Sequence, residues 1–138
     1  MQSQTKSFQW PVRVYYEDTD AGGVVYHANY LNFFERARTE YLRSLEINQH
    51  SLLELKTGFV VRHMDIDFIQ AAKLDDQLVV HTQVTQIKRA SLDFCQKLVN
   101  LDGLVLCSAQ VKIACVNMEK MKPQAIPTTI LSELKRVG

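Results

Sequence analysis

A single helical repeat followed by strand-like repeats restricts the folds that this chain can adopt. Between residues 29 and 45, apolar side chains recur every three or four positions, on a face so broad that other structure must cover it. After Gly58 the apolar side chains alternate instead, most regularly in residues 105–115. This order predicts an α+β fold in which one long helix packs on the apolar face of one antiparallel sheet.

Weaker signals mark the elements on either side of the long helix. Residues 8–16 alternate loosely and predict a first strand, in which Pro11 indicates an edge position or the strand's beginning. Ser51 and Glu54 have the spacing of a capping box and predict a short second helix that Gly58 ends. Because the edges of a sheet need covering and one helix covers little of a long sheet, we expect pairing with another subunit.

Length, composition and charge narrow the class of protein. A chain of 138 residues with 46% hydrophobic and 22% charged residues fits one domain spanning residues 1–138, with residues 1–7 frayed. The net charge of +1 lacks the basic excess of a nucleic-acid-binding surface, so no nucleic-acid partner is predicted. No apolar run suits a membrane span or a secretion signal, and three cysteines without metal-type spacing are expected to be reduced. We therefore expect a cytoplasmic protein that could still visit a membrane surface.

The segment YEDTDAGGVVYHANY, residues 16–30, carries most of the chemically active side chains. Its acids suggest a calcium loop, but Asn29 stands where an EF-hand needs its bidentate glutamate. His27 with Asp18 and Asp20 could hold a transition metal, but no further ligand has suitable spacing, so no metal is predicted. No nucleophile elbow occurs. An Asp- and Gly-rich turn before a helix is the plainest alternative, and it stays open.

Three features favour a functional site over a plain turn. The segment has more carboxylates than one helix cap requires, Asp20 lies too far from the helix to be only a cap, and residues 24–26 resemble a buried wall. The glycines let a ligand approach the backbone. A helix N-terminus can hold a developing oxyanion, and a carboxylate opposite it can activate water or attack directly. That chemistry suits hydrolysis of an ester-like carbonyl, above all a thioester, whose thiolate needs little protonation.

A known family shares these motifs. Residues 10–43, WPVRVYYEDTDAGGVVYHANYLNFFERARTEYLR, resemble the opening of the YbgC-type acyl-CoA thioesterases, in the 4-hydroxybenzoyl-CoA thioesterase group of the hotdog fold. The resemblance runs from about residue 8 to residue 127, and its most specific part is D-x-D-x-x-G-x-V-x-H-x-x-Y, residues 18–30. It implies a long helix wrapped by a curved antiparallel sheet, subunits joined in a dimer or a tetramer, and active sites at the subunit interface.

The resemblance also assigns roles within the motif. The catalytic carboxylate maps onto Asp20, as general base or nucleophile, and the backbone N–H groups near Tyr26 and His27 are expected to polarise the thioester carbonyl. The benzoyl-CoA enzyme has tyrosine in place of His27, so the role of this ring stays open and an aromatic substrate is not implied. Substrate-binding or supporting roles are expected for Tyr16, Asp18, Gly22, Gly23 and Asn29.

Simpler roles are expected for some of these polar residues. Asp18 is expected to bond backbone groups of the turn, although it could share a proton with Asp20. Asn29 is expected to cap the helix. Glu35 draws attention because another hotdog branch uses a helix-borne glutamate as its catalytic carboxylate, but its charged neighbours favour an ion pair here.

The expected substrate is an acyl-CoA, hydrolysed to free acid and CoA without a metal or bound cofactor; an acyl-carrier-protein thioester is a further possibility. Basic and hydroxyl groups should meet the phosphates of CoA. The candidates are Arg62, Lys88, Arg89, Ser91, Lys120 and Lys122. Relatives of the YbgC type are associated with the Tol–Pal envelope system, which suggests acyl or phospholipid metabolism near the inner membrane. Two alternatives stay open, namely a hotdog dehydratase and a binding module for acyl-CoA or acyl carrier protein without enzymatic activity.

Overall fold

The computed structural model of the protein describes residues 7–47 and 49–137. The strands are β1 (Phe8–Arg13), β2 (Thr57–Phe68), β3 (Gln77–Ile87), β4 (Ser91–Asn100), β5 (Val105–Asn117) and the two-residue β6 (Lys122–Pro123). The α-helices are α1 (Asn29–Ser44), α2 (Gln49–Glu54) and α3 (Thr128–Val137), and one 3-10 turn covers Tyr16–Asp18. The predicted α+β hotdog fold is confirmed.

All strands belong to one antiparallel sheet, in the order β1-β3-β4-β5-β2, and β6 extends it beside β5. β1 and β2 are therefore the two ends of the main strand order. Pro11 lies in β1, opposite Val79 of β3, and β1 has no other neighbouring strand in this order. The predicted edge position of this proline is therefore confirmed. An edge strand tolerates proline because one side of its backbone has no ladder to complete.

The long helix α1 fills the concave face of the sheet. Phe33, Phe34 and Ala37 are at most 1% exposed, and Tyr41 stacks edge-on against Phe94 of β4. The helix packs against β1 and β3 on this face. It leaves the inner side of β2 less covered, because Val61 and Phe68 on that strand remain 48% and 49% exposed.

Two local predictions differ from the structure, and a third, fraying of residues 1–7, lies largely outside the described residues. α2 begins at Gln49, so Ser51 lies inside the helix and is not its N-cap. Gly58 lies within β2 and does not end the helix; a Cβ there would come 2.3 Å from the sulfur of the Met118 side chain, which would have to shift. The predicted frayed residues 1–6 lie outside the described part of the chain, whereas the Ser7 hydroxyl bonds the His81 ring.

The two ends of the sheet carry different loops. At one end β2 stops at Phe68, and the loop of residues 69–76 leads into β3. At the other end lie the β3–β4 turn and the turn between β5 and β6. The 12 residues of β2 span roughly 40 Å at the usual rise of a strand. Groups at opposite ends of the sheet therefore cannot meet within one chain.

No helix of the described residues has both the length and the apolar character needed to cross a bilayer.

Candidate active site

Residues 14–28 form a loop that is held against residues 69–76 by backbone pairing. Val14 accepts the Asp75 N–H and donates to the Asp76 carbonyl, at 2.9 and 3.0 Å. Val25 donates to the Ala72 carbonyl at 2.8 Å, and its own side chain is buried. Of the predicted buried wall at residues 24–26, only Val25 is buried, since Val24 is half-buried and Tyr26 is 51% exposed.

The buried carboxylate of Asp18 joins this loop to the start of α1. Its Oδ2 accepts the Tyr15 N–H and its Oδ1 accepts the Asn29 side-chain N–H, both at 2.8 Å. The expected bond from Asp18 to a backbone group is thus present. The expected cap at Asn29 is not, because Ala28 is the N-cap residue and Asn29 is the first residue of the helix. The Asn29 amide instead links Asp18 to Asn32, whose side-chain N–H it accepts at 2.7 Å.

Asp20 has a different environment from Asp18, because its side chain is exposed. Its Oδ1 accepts the Gly22 N–H at 2.8 Å, and its backbone bonds Val24 and Gly23 at 2.9 and 3.0 Å. Gly23 has a φ of +80°, a left-handed conformation that explains glycine at this turn. Among the described residues no donor bonds Asp20 Oδ2. This carboxylate is therefore fixed in direction, with one oxygen open to water or a substrate.

The N-terminus of α1 presents backbone N–H groups beside this turn. The Tyr26 N–H is occupied, because it donates to the Asp18 carbonyl at 3.0 Å. The N–H groups of His27 and Ala28 have no acceptor among the described residues. The first turn of the helix has no acidic side chain of its own, and the Asp18 carboxylate reaches it through the Asn29 side chain and leaves these N–H groups unbonded. Of the two expected N–H groups, that of His27 is the one available to a ligand.

Aromatic rings surround the exposed His27 side chain. The His27 ring lies 4.6 Å from the Tyr26 ring and 6.2 Å from the Phe68 ring, measured between centroids. Phe68 also contacts Tyr30, whose hydroxyl accepts the Ala72 N–H at 3.0 Å. Burial raises the pKa of this Tyr30 phenol. Tyr30 therefore fixes the loop of residues 69–76 to the helix, a role that its place in the helical repeat did not indicate.

Comparison with known proteins identifies the family. Residues 22–107 match the family model of the thioesterase superfamily. The chain belongs to that superfamily. The acyl-CoA thioesterase YbgC of Haemophilus influenzae is 57% identical over 124 residues, which are 89% of this chain and 90% of the relative. The acyl-CoA thioester hydrolase YbgC of Escherichia coli O6:H1 is 49% identical over 132 residues, which are 96% of this chain and 98% of the relative.

A solved structure supports the same conclusion. The crystal structure of a probable thioesterase from Bartonella henselae superimposes with a TM-score of 0.82 at 39% sequence identity. The match covers 88% of this chain and 99% of that chain. The resemblance to the YbgC-type thioesterases is therefore confirmed, and so is the prediction that this thioesterase-superfamily protein is an enzyme, a thioester hydrolase.

The residues expected to bind CoA phosphates lie away from the loop of residues 14–28. Lys88 and Arg89 form the β3–β4 turn, where the Lys88 N–H donates to the Ser91 carbonyl at 2.8 Å. Lys120 lies in the neighbouring β5–β6 connection, Lys122 begins β6, and Arg62 is exposed within β2. Lys88, Arg89, Lys120 and Lys122 therefore all lie at the end of the sheet opposite Asp20. The Tyr16 side chain is 82% exposed, and within the described part of the chain it forms no hydrogen bond or ring contact.

Other reactive side chains of this thioesterase have structural environments. Cys107 and Cys115 are buried and Cys95 is half-buried, all as free thiols. Burial raises the pKa of the Cys107 thiol to about 12, so it stays protonated and is a poor nucleophile at neutral pH. Within residues 7–47 and 49–137, no three His, Cys, Asp or Glu side chains converge as metal ligands would.

Proposed function

We propose that the protein hydrolyses acyl-CoA thioesters with Asp20 as the catalytic carboxylate. The observation that carries this proposal is the pairing of an exposed, backbone-oriented carboxylate with an open helix N-terminus in one loop. The curated relatives, named as acyl-CoA thioesterases, support the substrate class. The His27 N–H, together with that of Ala28, holds the carbonyl oxygen of the thioester.

Two routes fit this arrangement. In the first, Asp20 takes a proton from water while the water oxygen attacks the carbonyl carbon, and the tetrahedral oxyanion is held by the helix N–H groups. Collapse breaks the carbon–sulfur bond, and the CoA thiolate receives the proton from Asp20. In the second, the Asp20 carboxylate attacks the carbonyl and expels the thiolate, and water then hydrolyses the mixed anhydride. Neither route requires a metal or a bound cofactor.

Substrate binding is proposed to need a second subunit. Antiparallel pairing of two β2 edges would bring the Asp20 end of one subunit beside the cationic end of its partner, because antiparallel strands run in opposite directions. The phosphates of CoA would then meet Lys88 and Arg89 of the partner copy, with Ser91, Lys120, Lys122 and Arg62 as further candidates. The open edge of β2 and the half-exposed apolar side chains on its inner face support this assembly.

The test is Asp20→Asn, which keeps the shape of the side chain and the oxygen that accepts the Gly22 N–H. Thiol release is followed with a colorimetric reagent across acyl-CoAs from acetyl to palmitoyl and with benzoyl-CoA. We expect kcat to fall by several orders of magnitude with an unchanged circular dichroism spectrum. Glu17→Gln is the matched control, since it neutralises another exposed carboxylate of the same segment, and it should retain wild-type kcat.

An Asp20→Asn variant with more than about a tenth of wild-type activity would refute the assignment, because general acid–base catalysis contributes roughly a hundredfold or more. Hydroxylamine added during turnover distinguishes the two routes, since it captures an acylated Asp20 only if the carboxylate is the nucleophile. Formation of an enoyl product without free thiol would identify a dehydratase instead. Saturable binding of acyl-CoA without turnover would identify a binding module.

A further inference from the structure

A cationic side chain lies mostly buried under α1 and, among the described residues, forms no ion pair. Arg38 is only 7% exposed, and its Nη1 donates to Gln96 Oε1 at 2.9 Å. Gln96 is held in turn, because its Nε2 donates to the Phe34 carbonyl and to the Thr82 hydroxyl. Among the described residues, the other N–H groups of Arg38 have no acceptor, and no carboxylate lies within ion-pair distance of it.

Arg38 borders a cavity of about 300 Å³ between α1 and β2. That volume is near the lower limit of small-molecule sites and would hold roughly ten water-sized groups. The polar part of its wall comes from one face of the helix, namely Glu35, Arg38 and Thr39. The rest of the wall is apolar and consists of Leu42, Phe59, Val60, Val61, Leu92, Phe94 and Ile113.

A row of apolar side chains on β2 extends from this cavity toward the proposed thioester position. Phe68, beside the His27 ring, lies at the end of β2, whereas Phe59 and Val61 near its start line the cavity. Between them, Met64 and Ile66 face the same side of the sheet as Phe68, since they lie opposite the inward-facing Val111 and Ala109. Ala28 and Arg38 are ten residues apart on the same helix, or roughly 15 Å.

The chemistry of the cavity favours a ligand with an apolar stem and an anionic end. Burying a guanidinium is unfavourable, and burial lowers the pKa of Arg38, although the nearby Glu35 carboxylate raises it in part. A carboxylate that accepts the open N–H groups would make charge-assisted and possible fork-like hydrogen bonds. Glu35 does not supply this carboxylate, because it is exposed and, in the described residues, forms no ion pair; the ion pair expected for it is absent.

We propose that this cavity binds the distal part of the substrate's acyl group and that Arg38 recognises a carboxylate at its far end, so that ω-carboxyacyl thioesters are preferred substrates. The preference for these thioesters as substrates rests on the proposed thioesterase function. The binding itself does not, since a free dicarboxylate offers the same chemistry to the same cavity. Recognition of the acyl end is therefore separable from hydrolysis.

The kinetic test compares substrates matched in length. Values of kcat/KM are measured for glutaryl-, suberoyl- and dodecanedioyl-CoA against valeryl-, octanoyl- and lauroyl-CoA. Because a hydrogen bond to a charged group changes binding by about ten- to a hundredfold, Arg38→Met should lower the preference for the carboxylated member of the best pair by that factor. Glu35→Gln removes a like charge and should raise the same preference severalfold. Arg36→Gln, an exposed arginine outside the cavity, should leave it unchanged.

Binding without turnover separates the two proposals. Free suberate and free octanoate are titrated calorimetrically into wild type, Arg38→Met and Arg38→Lys. Suberate should bind wild type more tightly, and Arg38→Met should lose this difference. Arg38→Lys keeps the buried charge and serves as the test variant if Arg38→Met does not fold. It should retain part of the difference between suberate and octanoate binding. Suberate binding that depends on Arg38 in a protein without thiol release would retain this inference and refute only the proposed function.

Two results would overturn the inference. The first is an equal preference for both members of every pair in wild type and Arg38→Met. The second is loss of the oligomer in Arg38→Met, seen by size-exclusion chromatography, together with unchanged binding of suberate. That result would assign Arg38 to contact between subunits.

Discussion

Exchanging the partners of the Asp18–Asn29 contact tests how the loop of residues 14–28 is attached to α1. Asp18→Asn leaves one oxygen for two donors, the Tyr15 N–H and the Asn29 amide, so that one donor faces another. Loss of a charge-assisted hydrogen bond at this buried position should lower the free energy of unfolding by about 2–3 kcal/mol. Asn29→Asp should cost at least about as much, because it places two carboxylates at a contact of 2.8 Å.

The double variant Asp18→Asn/Asn29→Asp should restore both contacts. The new amide at position 18 accepts the Tyr15 N–H and donates to the new carboxylate, which the positive end of α1 also favours. We expect its unfolding free energy to lie within about 1 kcal/mol of wild type, so that the coupling energy is about 3 kcal/mol or more. Urea unfolding measures this energy, and kcat should follow the same pattern. A double variant as unstable as the sum of the single variants would refute this account of the loop.

Two further predictions concern backbone strain and pH. Gly23→Ala and Gly103→Ala, both at left-handed positions with open space around a new Cβ, should each lose about 1 kcal/mol of stability, but only Gly23→Ala should lower kcat/KM, because Gly23 shapes the Asp20 turn whereas Gly103 lies in the β4–β5 turn. Equal kcat/KM losses would contradict a role for the Gly23 turn in the site. Burial raises the pKa of Cys107 and Tyr41 above their ordinary values, so above about pH 9 the unfolded chain releases protons first and stability falls as pH rises. In urea unfolding at increasing pH, Cys107→Ala should lessen this decline by up to about 1.4 kcal/mol per pH unit, and an unchanged slope would contradict it.

Periodicity predicted the large elements of the fold because each of them buries one continuous face. The helix of residues 29–45 and the strand of residues 105–115 agree closely with α1 and β5. Predictions at element ends were weaker, since several side chains can satisfy the same backbone groups there. Ser51 fits a capping box in sequence, yet α2 begins earlier, and Asn29 bonds Asp18 instead of capping its own helix.

The sequence showed which side chains the candidate loop carries but not the partners that the fold gives them. Asp18 and Asp20 look equivalent in the sequence, whereas the fold buries Asp18 and leaves Asp20 exposed on a glycine turn. This division depends on contacts between residues 14–28 and 69–76, which are far apart in sequence. The environment of Arg38 could not be predicted either, because its position in the helical repeat does not reveal that Gln96 of β4 lies beneath it.

The topology supports the proposal that catalysis and the binding of CoA phosphates take place at opposite ends of the sheet. Asp20 and His27 lie where β2 ends, and the clustered cations lie where β2 begins, roughly 40 Å along the strand. An extended CoA molecule bound by both ends of one chain would have to follow the whole length of β2. Antiparallel pairing of two such edges removes that requirement, because each strand then carries the missing end of the other. A variant that blocks the β2 edge, such as Met64→Pro, should therefore yield a monomer with a higher KM for CoA thioesters, whereas an active monomer with wild-type KM would contradict the proposed shared site.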